Sequence, residues 1–251
     1  MVFVTGDCHA DFHKFTTDHF PEQKNLTRDD IVIVCGDFGI WNNDPEERYR
    51  LKWLDKKPFN TVFVDGNHEN FDRLYSDEFK IVDFHGGKAH KIMPHIFHLM
   101  RGYMFEFEGK KFWCFGGASS HDISDGILDA DDFTTPQEFY ATIRQWYRLD
   151  KMFRINHISW WAQELPTQEE MDFGMKTLEE HGFETDYIIS HCCPQDVAAA
   201  MGYHGSDRLT MFFNEVASKT KFARWYFGHY HDERAVFGKF ILHYDRIERI
   251  L

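Results

Sequence analysis

The segment Val2-Phe3-Val4-Thr5-Gly6-Asp7-Cys8-His9 sets a pattern that recurs along this chain of 251 residues. A short apolar run leads directly into polar side chains of the kinds that bind metal ions. Four further runs end in the same way: Ile31–Cys35 at Gly36-Asp37, Thr61–Asp65 at Gly66-Asn67-His68-Glu69, Tyr187–Ser190 at His191, and Arg224–Phe227 at Gly228-His229-Tyr230-His231. Together the endings offer oxygen and imidazole ligands and require no thiol, which indicates a two-metal hydrolytic site.

Two pairs of these side chains have a spacing that suits a shared metal ion. Asp7 and His9 are two residues apart, as are His229 and His231. Residues at that spacing in an extended chain point to the same side. Sites in open α/β sheets gather at the carboxyl ends of strands, which is where all of these residues fall.

The apolar runs near the amino end predict a sheet of buried strands. They are rich in Val, Ile and Phe without polar alternation, which is typical of strands covered on both faces. Local signals predict four other elements: a helix at Pro45–Lys56 capped by Asp44, a hairpin of Tyr103–Phe107 and Lys111–Phe115, a helix from about residue 168 to 181 opened by Thr167 and Glu170, and a closing hairpin around Gly238-Lys239. We therefore expect one α/β domain over residues 1–251, with an insert at about 85–185 that shapes the substrate pocket.

Composition narrows the class of protein and of partner. Lys and Arg number 28 against 41 Asp and Glu, a formal charge of −13, and such a surface repels the phosphate backbone of duplex nucleic acid. No apolar stretch approaches the roughly 20 residues of a membrane span, and Met1–Val4 lacks the features of a signal peptide. The five cysteines lack paired spacing and are interpreted as reduced thiols. We expect a cytoplasmic protein with no membrane partner, and the sequence leaves its oligomeric state open.

The order of the motifs, GDxH, GD, GNHE, a single His and GHxH, resembles that of the calcineurin-like metallophosphoesterase superfamily. The combination of Gly116-Gly117-Ala118-Ser119 with Trp160-Trp161 is similar to uncharacterised bacterial and phage members of it. The resemblance implies an α/β fold of four layers, α/β/β/α, in which helices flank two mixed β-sheets. It also implies two ligand sets joined at Asp37: Asp7, His9, Asp37 and His231 for one metal, and Asp37, Asn67, His191 and His229 for the other.

Elementary chemistry supports a bridging role for Asp37. A carboxylate has two oxygens and a negative charge, so it can join two cations, which in paired sites lie ~3.5–4 Å apart. The mixed nitrogen and oxygen ligands favour two divalent transition-metal ions, Mn, Fe, Zn, Ni or Co, over Ca or Mg. A hydroxide bridging the ions is expected to attack the phosphorus of a phosphate-ester substrate, while His68 donates a proton to the leaving oxygen. Glu69 is expected to contact the ligand groups from outside.

The residues that follow Asp37 depart from one branch of the superfamily. Phosphoprotein phosphatases carry GDxVDRG at this point, and the second Asp of that motif orients the catalytic His. This chain has Gly36-Asp37-Phe38-Gly39-Ile40-Trp41, which lacks both that Asp and the Arg. The difference slightly favours a phosphodiesterase. The alternatives are a phosphomonoesterase acting on nucleotides or proteins and a non-catalytic scaffold of the same fold, against which the complete ligand set argues.

Other side chains have two interpretations, either in the substrate pocket or in ordinary packing and solvent contact. They are His121 after the Gly-rich loop, His204, the pair Arg144 and Arg148, and Trp160-Trp161. A cluster of four histidines, His85, His90, His95 and His98, is interpreted as structural because carboxylates are sparse near it in the sequence. The sequence does not indicate which residue orients His68.

Overall fold

The apolar runs of the sequence form strands, and the computed structural model describes every residue from Met1 to Leu251. In chain order the strands are β1 (Val2–Thr5), β2 (Ile31–Val34), β3 (Asn60–Phe63), β4 (Lys80–Phe84), β5 (Gly87–Met93), β6 (Ile96–Leu99), β7 (Met104–Phe107), β8 (Lys110–Phe115), β9 (Gly126–Leu128), β10 (Phe153–Ile155), β11 (Tyr187–Ser190), β12 (Arg224–Phe227), β13 (Arg234–Val236), β14 (Phe240–Leu242) and β15 (Glu248–Arg249). The helices are α1 (Pro45–Asp55), α2 (Phe71–Leu74), α3 (Pro136–Arg148), α4 (Gln168–Glu180), α5 (Gln195–Ala200) and α6 (Arg208–Lys219). No helix combines the length and the apolar composition of a membrane span.

Two large mixed sheets organise these strands. The first has seven strands in the order β15-β1-β2-β3-β6-β5-β4, and the second has six in the order β13-β14-β12-β11-β8-β7. In the first sheet β1, β2, β3 and β6 run parallel, and in the second β8, β11, β12 and β14 do. The carboxyl ends of the parallel strands therefore meet at one edge of each sheet.

The sheets face each other across an apolar layer and carry helices on their outer faces. Alternate residues of a strand point to opposite faces, and β1 follows this rule: Val2 and Val4 join the cluster shared with Ile189 of the second sheet, while Phe3 points outward. The outer side of the first sheet packs on α1 and α2, and that of the second packs on α4, α5 and α6. This arrangement confirms the predicted α/β/β/α layering.

Local signals placed the two best-defined helices correctly. The Asp44 side chain accepts a hydrogen bond of 2.8 Å from the Glu47 backbone N–H and so caps α1. Thr167 and Glu170 form the reciprocal capping box of α4. Both helices end one residue earlier than predicted, which is the usual uncertainty of a frayed last turn.

The middle of the chain contributes more to the sheets than the sequence indicated. The predicted insert began at about residue 85, yet β5 and β6 lie in the first sheet and β7 and β8 in the second. The part that leaves the sheets is residues 116–186, called the excursion below. It contains α3, α4 and a separate two-stranded parallel sheet of β9 and β10.

Candidate metal centre

The predicted ligands converge at the carboxyl ends of the parallel strands, where the two sheets meet. Five of them are almost fully buried: Asp7, Asp37, Asn67, His191 and His229. His9 and His231 are more exposed, at 30% and 49% of the side chain. The site is thus buried at its base, and the imidazoles of His9 and His231 lie at its solvent-exposed rim.

Close contacts join side chains that are far apart in the sequence. Nε2 of His231 lies 3.1 Å from Oδ2 of Asp7 and 3.0 Å from Nε2 of His9. Nε2 of His191 lies 3.2 Å from Oδ1 of Asp37, and Nδ1 of His9 lies 3.7 Å from Oδ2 of the same carboxylate. The two oxygens of Asp37 therefore face different imidazoles.

Three overlapping groups of side chains have ligand atoms close enough to hold a metal ion. They are Asp7 with His9 and His231, His9 with Asp37 and His68, and Asp7 with Asp37 and His191, and within each group the atoms lie within 4.8 Å of one another. His229 is outside these groups. Its ring lies against His191, with centroids 4.9 Å apart, and its backbone N–H donates to Oδ1 of Asp7 at 2.9 Å.

Two buried polar atoms at the centre of the site fit a cation. Oδ1 of Asn67 and Nε2 of His191 are buried without a hydrogen-bond partner, which is costly in a protein interior. Nδ1 of His191 lies 2.7 Å from the carbonyl oxygen of Cys35, which can only accept, so Nδ1 carries the hydrogen and the Nε2 lone pair faces the site. An amide oxygen and an imidazole lone pair are both metal ligands, so these residues suit divalent ions.

The charge states of the site also suit a cation. Burial opposes the charge of Asp37, but the neighbouring His191, His68 and His9 hold the pKa of its carboxyl well below the ordinary range. Burial lowers the pKa of His229 and of His9, which keeps both imidazoles neutral. At His191 burial opposes the charged form, but Asp37 and Asp7 outweigh it and raise the pKa to about 9, so a bound metal ion would displace a proton from Nε2. The two carboxylates therefore create a pocket that attracts positive charge.

Glycines allow the loops to approach the carboxylates. A Cβ atom on Gly66 would lie 2.0 Å from Oδ1 of Asp37, and one on Gly228 would lie 2.1 Å from Oδ1 of Asp7. Four site residues themselves adopt positive φ: His9, Asp37, His229 and His231, at 48°, 46°, 72° and 49°. Such backbone strain is common at functional sites.

Glu69 secures the loop that carries Asp37. Its buried carboxylate accepts hydrogen bonds from the backbone N–H groups of Phe38, Gly39 and Ile40, at 2.7, 3.1 and 2.8 Å. Sequence reasoning expected contacts with the ligand groups from outside, and the observed partners are the backbone that follows the ligand. Glu69 therefore fixes the path of the chain on the far side of Asp37.

Residues of the excursion that sequence reasoning missed surround His68 and Asn67. Nη2 of Arg154 lies 3.5 Å from Nε2 of His68, and Arg154 is paired with Asp122. Nδ2 of Asn67 lies 3.5 Å from Oγ of Ser120, which donates to Glu164 at 2.7 Å. Ser120 and Asp122 adjoin the Gly-rich loop, but no local motif marks Arg154 or Glu164, whose proximity arises from the way the excursion folds back.

The sequence left several side chains with two interpretations, in the substrate pocket or in ordinary packing and solvent contact. The structure places some near the pocket and others away from it. The His121 ring lies 4.2 Å from that of His229, and both line a cavity of about 400 Å³ together with His204. Arg144 and Arg148 are exposed on α3. Trp161 is buried in the apolar cluster on the outer side of the first sheet, and its Nε1–H donates a hydrogen bond to Asp72. The histidines therefore belong near the site, and the other residues have structural or surface positions.

A family model for calcineurin-like phosphoesterases matches residues 1–233, and the chain belongs to this family. The match confirms the resemblance that the order of the motifs indicated. Among curated proteins it is similar to lariat debranching enzyme A of Xenopus laevis, with 26% identity over 176 residues, 62% of this chain and 30% of that protein. It is also similar to the lariat debranching enzyme of Gallus gallus, with 28% identity over 165 residues, 59% of this chain and 28% of that protein. The match thus spans less than a third of the length of these relatives.

Proposed function

We propose that this chain is a phosphodiesterase with a binuclear metal centre. The observation that carries the proposal is the position of Asp37, whose two oxygens face His191 at 3.2 Å and His9 at 3.7 Å. One carboxylate thus serves two groups of ligands. The first metal would be held by Asp7, His9, Asp37 and His231, and the second by Asp37, Asn67, His191 and His229.

The ligand chemistry supports two divalent transition-metal ions. Neutral imidazoles and an amide leave Asp7 and Asp37 as the two negative ligands, so two divalent ions keep a net positive charge that suits a phosphate group. Bound there, the ions would neutralise the phosphoryl oxygens and supply the attacking hydroxide. The ligand types leave Mn, Fe, Zn, Ni and Co as the candidate metals.

We further propose that His68 acts on the leaving group. Its backbone N–H is held by Asp37, and its ring centroid lies 5.0 Å from that of His9 at the rim of the site. Although His68 lies close enough to His9 and Asp37 to share an ion with them, each proposed metal already has four ligands without it. We assign to its imidazole the proton that the leaving oxygen takes as the ester bond to phosphorus breaks.

The choice of a diester draws on the relatives and on the sequence. The relatives are lariat debranching enzymes, which are phosphodiesterases, and the chain lacks the phosphoprotein-phosphatase GDxVDRG motif. A phosphomonoesterase is the second candidate, because the Arg154 cation beside His68 suits the extra negative charge of a monoester. The formal charge of −13 disfavours a duplex nucleic acid substrate.

The proposal is tested by metal reconstitution. The metals are removed and the protein is reloaded with each of the five candidate ions, and the bound ions are counted by mass spectrometry. Hydrolysis of bis(p-nitrophenyl) phosphate and of p-nitrophenyl phosphate is then compared. We expect about two ions per chain and a preference for the diester, with Asp37→Asn losing both and the exposed control Asp77→Asn losing neither. One ion per chain would reject the binuclear centre, and a monoester-only profile would reject the diester.

A further inference from the structure

Arg154 is a cation that the metal centre does not require. Its side chain is only 18% exposed, although a buried guanidinium is costly unless it is paired. It lies on β10, where the neighbouring Phe153 and Ile155 are buried in a small apolar cluster with Leu128 and Phe139. Because alternate residues of a strand face opposite sides, the strand presents Arg154 away from this cluster and toward His68.

One carboxylate fixes the Arg154 guanidinium, and some of its N–H donors have no close acceptor. Asp122 engages Nε at 2.8 Å and Nη2 at 2.8 Å. The remaining contacts are long: Nη1 lies 3.4 Å from the carbonyl oxygen of Ser159, and Nη2 lies 3.5 Å from Nε2 of His68. Good N–H hydrogen bonds measure ~2.7–3.2 Å, and Arg has five N–H donors and no acceptor. Donor capacity is therefore available on the side of Arg154 that faces the metal centre.

The distance between Arg154 and His68 is set by the fold. The chain that follows β10 is attached to α2, which begins three residues after His68. Asp72 of α2 contacts Nδ1 of His157 at 2.7 Å and Nε1 of Trp161 at 2.8 Å. Trp161 is also buried in the outer core of the first sheet. The excursion is thus attached to α2, the helix that follows the loop carrying Asn67 and His68.

We propose that Arg154 binds a non-esterified oxygen of the substrate phosphate beside His68, and that Asp122 holds its guanidinium in position. This inference rests on the proposed function. A guanidinium suits the role because its planar fork binds phosphate oxygens with charge-assisted hydrogen bonds. The excursion would then supply the substrate-binding cation, while the two sheets supply the metal ligands.

The test measures binding of inorganic phosphate to the metal-loaded protein by calorimetry, with bound metal counted in each variant. We expect Arg154→Gln to weaken phosphate binding about 10- to 100-fold at unchanged metal content. Arg154→Lys should recover part of that loss, because it restores the charge without the fork. The matched control is Arg148→Gln, an exposed arginine of the same excursion, which should bind phosphate as the wild type does. Equal phosphate binding by Arg154→Gln and the wild type would overturn the proposal.

Two further measurements distinguish a failure of this inference from a loss of metal and from a failure of the proposed function. If Arg154→Gln loses metal, Asp122→Asn and Arg154→Lys decide instead: weaker phosphate binding in Asp122→Asn supports the proposal, and unchanged binding in both overturns it. Ester hydrolysis by the wild type and by Arg154→Gln is measured in parallel. Hydrolysis that is indifferent to Arg154 rejects this inference alone, whereas Arg154-dependent phosphate binding without any hydrolysis rejects only the proposed function.

Discussion

The backbone N–H of His68 donates a hydrogen bond of 2.8 Å to Oδ1 of Asp37. This contact joins the loop after β3 to the loop after β2. The position of His68, the residue assigned to the leaving group, therefore depends on the position of the Asp37 carboxylate. A displacement of either loop must therefore disturb both the ligands and His68.

Gly66→Ala should disrupt the metal centre without adding or removing a ligand. The new Cβ would lie 2.0 Å from Oδ1 of Asp37, so the carboxylate must move. We expect metal affinity and ester hydrolysis to fall at least about 10-fold, as other changes around metal ligands do. The control is Gly205→Ala, whose Cβ would meet nothing within 4 Å. Normal metal content in Gly66→Ala would contradict the observed close approach.

His68→Gln should separate chemistry from metal binding. The substituted side chain cannot donate an imidazole proton, while the backbone N–H that contacts Asp37 is kept. We expect bound metal to be unchanged and turnover of an alkyl ester, which has a poor leaving group, to fall about 10²- to 10⁴-fold. The exposed His85 at a distant sheet edge provides the control His85→Gln. Full activity of His68→Gln on the alkyl ester would exclude the acid role.

Glu69→Gln should weaken the loop that carries Asp37. The carboxylate accepts three backbone N–H groups, and an amide in its place turns one acceptor into a donor that faces another donor. We expect the free energy of unfolding to fall by about 1–3 kcal/mol, measured by urea denaturation. The control Glu46→Gln changes a carboxylate that is 71% exposed on α1 and should change stability by less than about 0.5 kcal/mol. Equal stability of the two variants would argue against this role.

Acid should destabilise the protein through His90. Burial and the adjacent His98 lower the pKa of His90 from 6.5 to about 4. Between these values the unfolded chain binds a proton at His90 that the folded protein does not, so stability falls as the pH falls. This difference in proton binding should lower the free energy of unfolding at pH 5 by about 2 kcal/mol relative to pH 7. Denaturation curves of His90→Gln should show a smaller loss between pH 7 and pH 5, and an identical slope would contradict the shift.

The sequence could predict that the candidate ligands lie close together because they follow the strands directly. Asp7, Asp37 and His191 lie within three residues of strand ends, and a strand in a parallel sheet fixes where its carboxyl end lies. The caps of α1 and α4 are equally local, since a side chain there bonds to the backbone three residues away. Predictions of this kind need no knowledge of the tertiary fold.

The surroundings of His68 could not be predicted in the same way. Residues 36–41 lack the second Asp and the Arg of the phosphatase motif, yet Asp122 and Arg154 lie beside His68 from another part of the chain. They are 32 residues apart in sequence and meet only because β10 folds back over the site. A motif that is absent from one segment therefore says little about which charges the site contains, and this weakens the sequence argument for a diester.

The contact between Asp7 and the backbone of His229 spans 222 residues. During synthesis on the ribosome, Asp7 emerges 222 residues before His229, and His229 and His231 emerge only when both sheets are nearly complete. Nascent chains that stall earlier therefore lack part of the ligand set and have to rely on apolar packing alone. The supply of metal in the cell should then act late, on chains that are already largely folded, and the yield of active enzyme should depend on metal uptake after release.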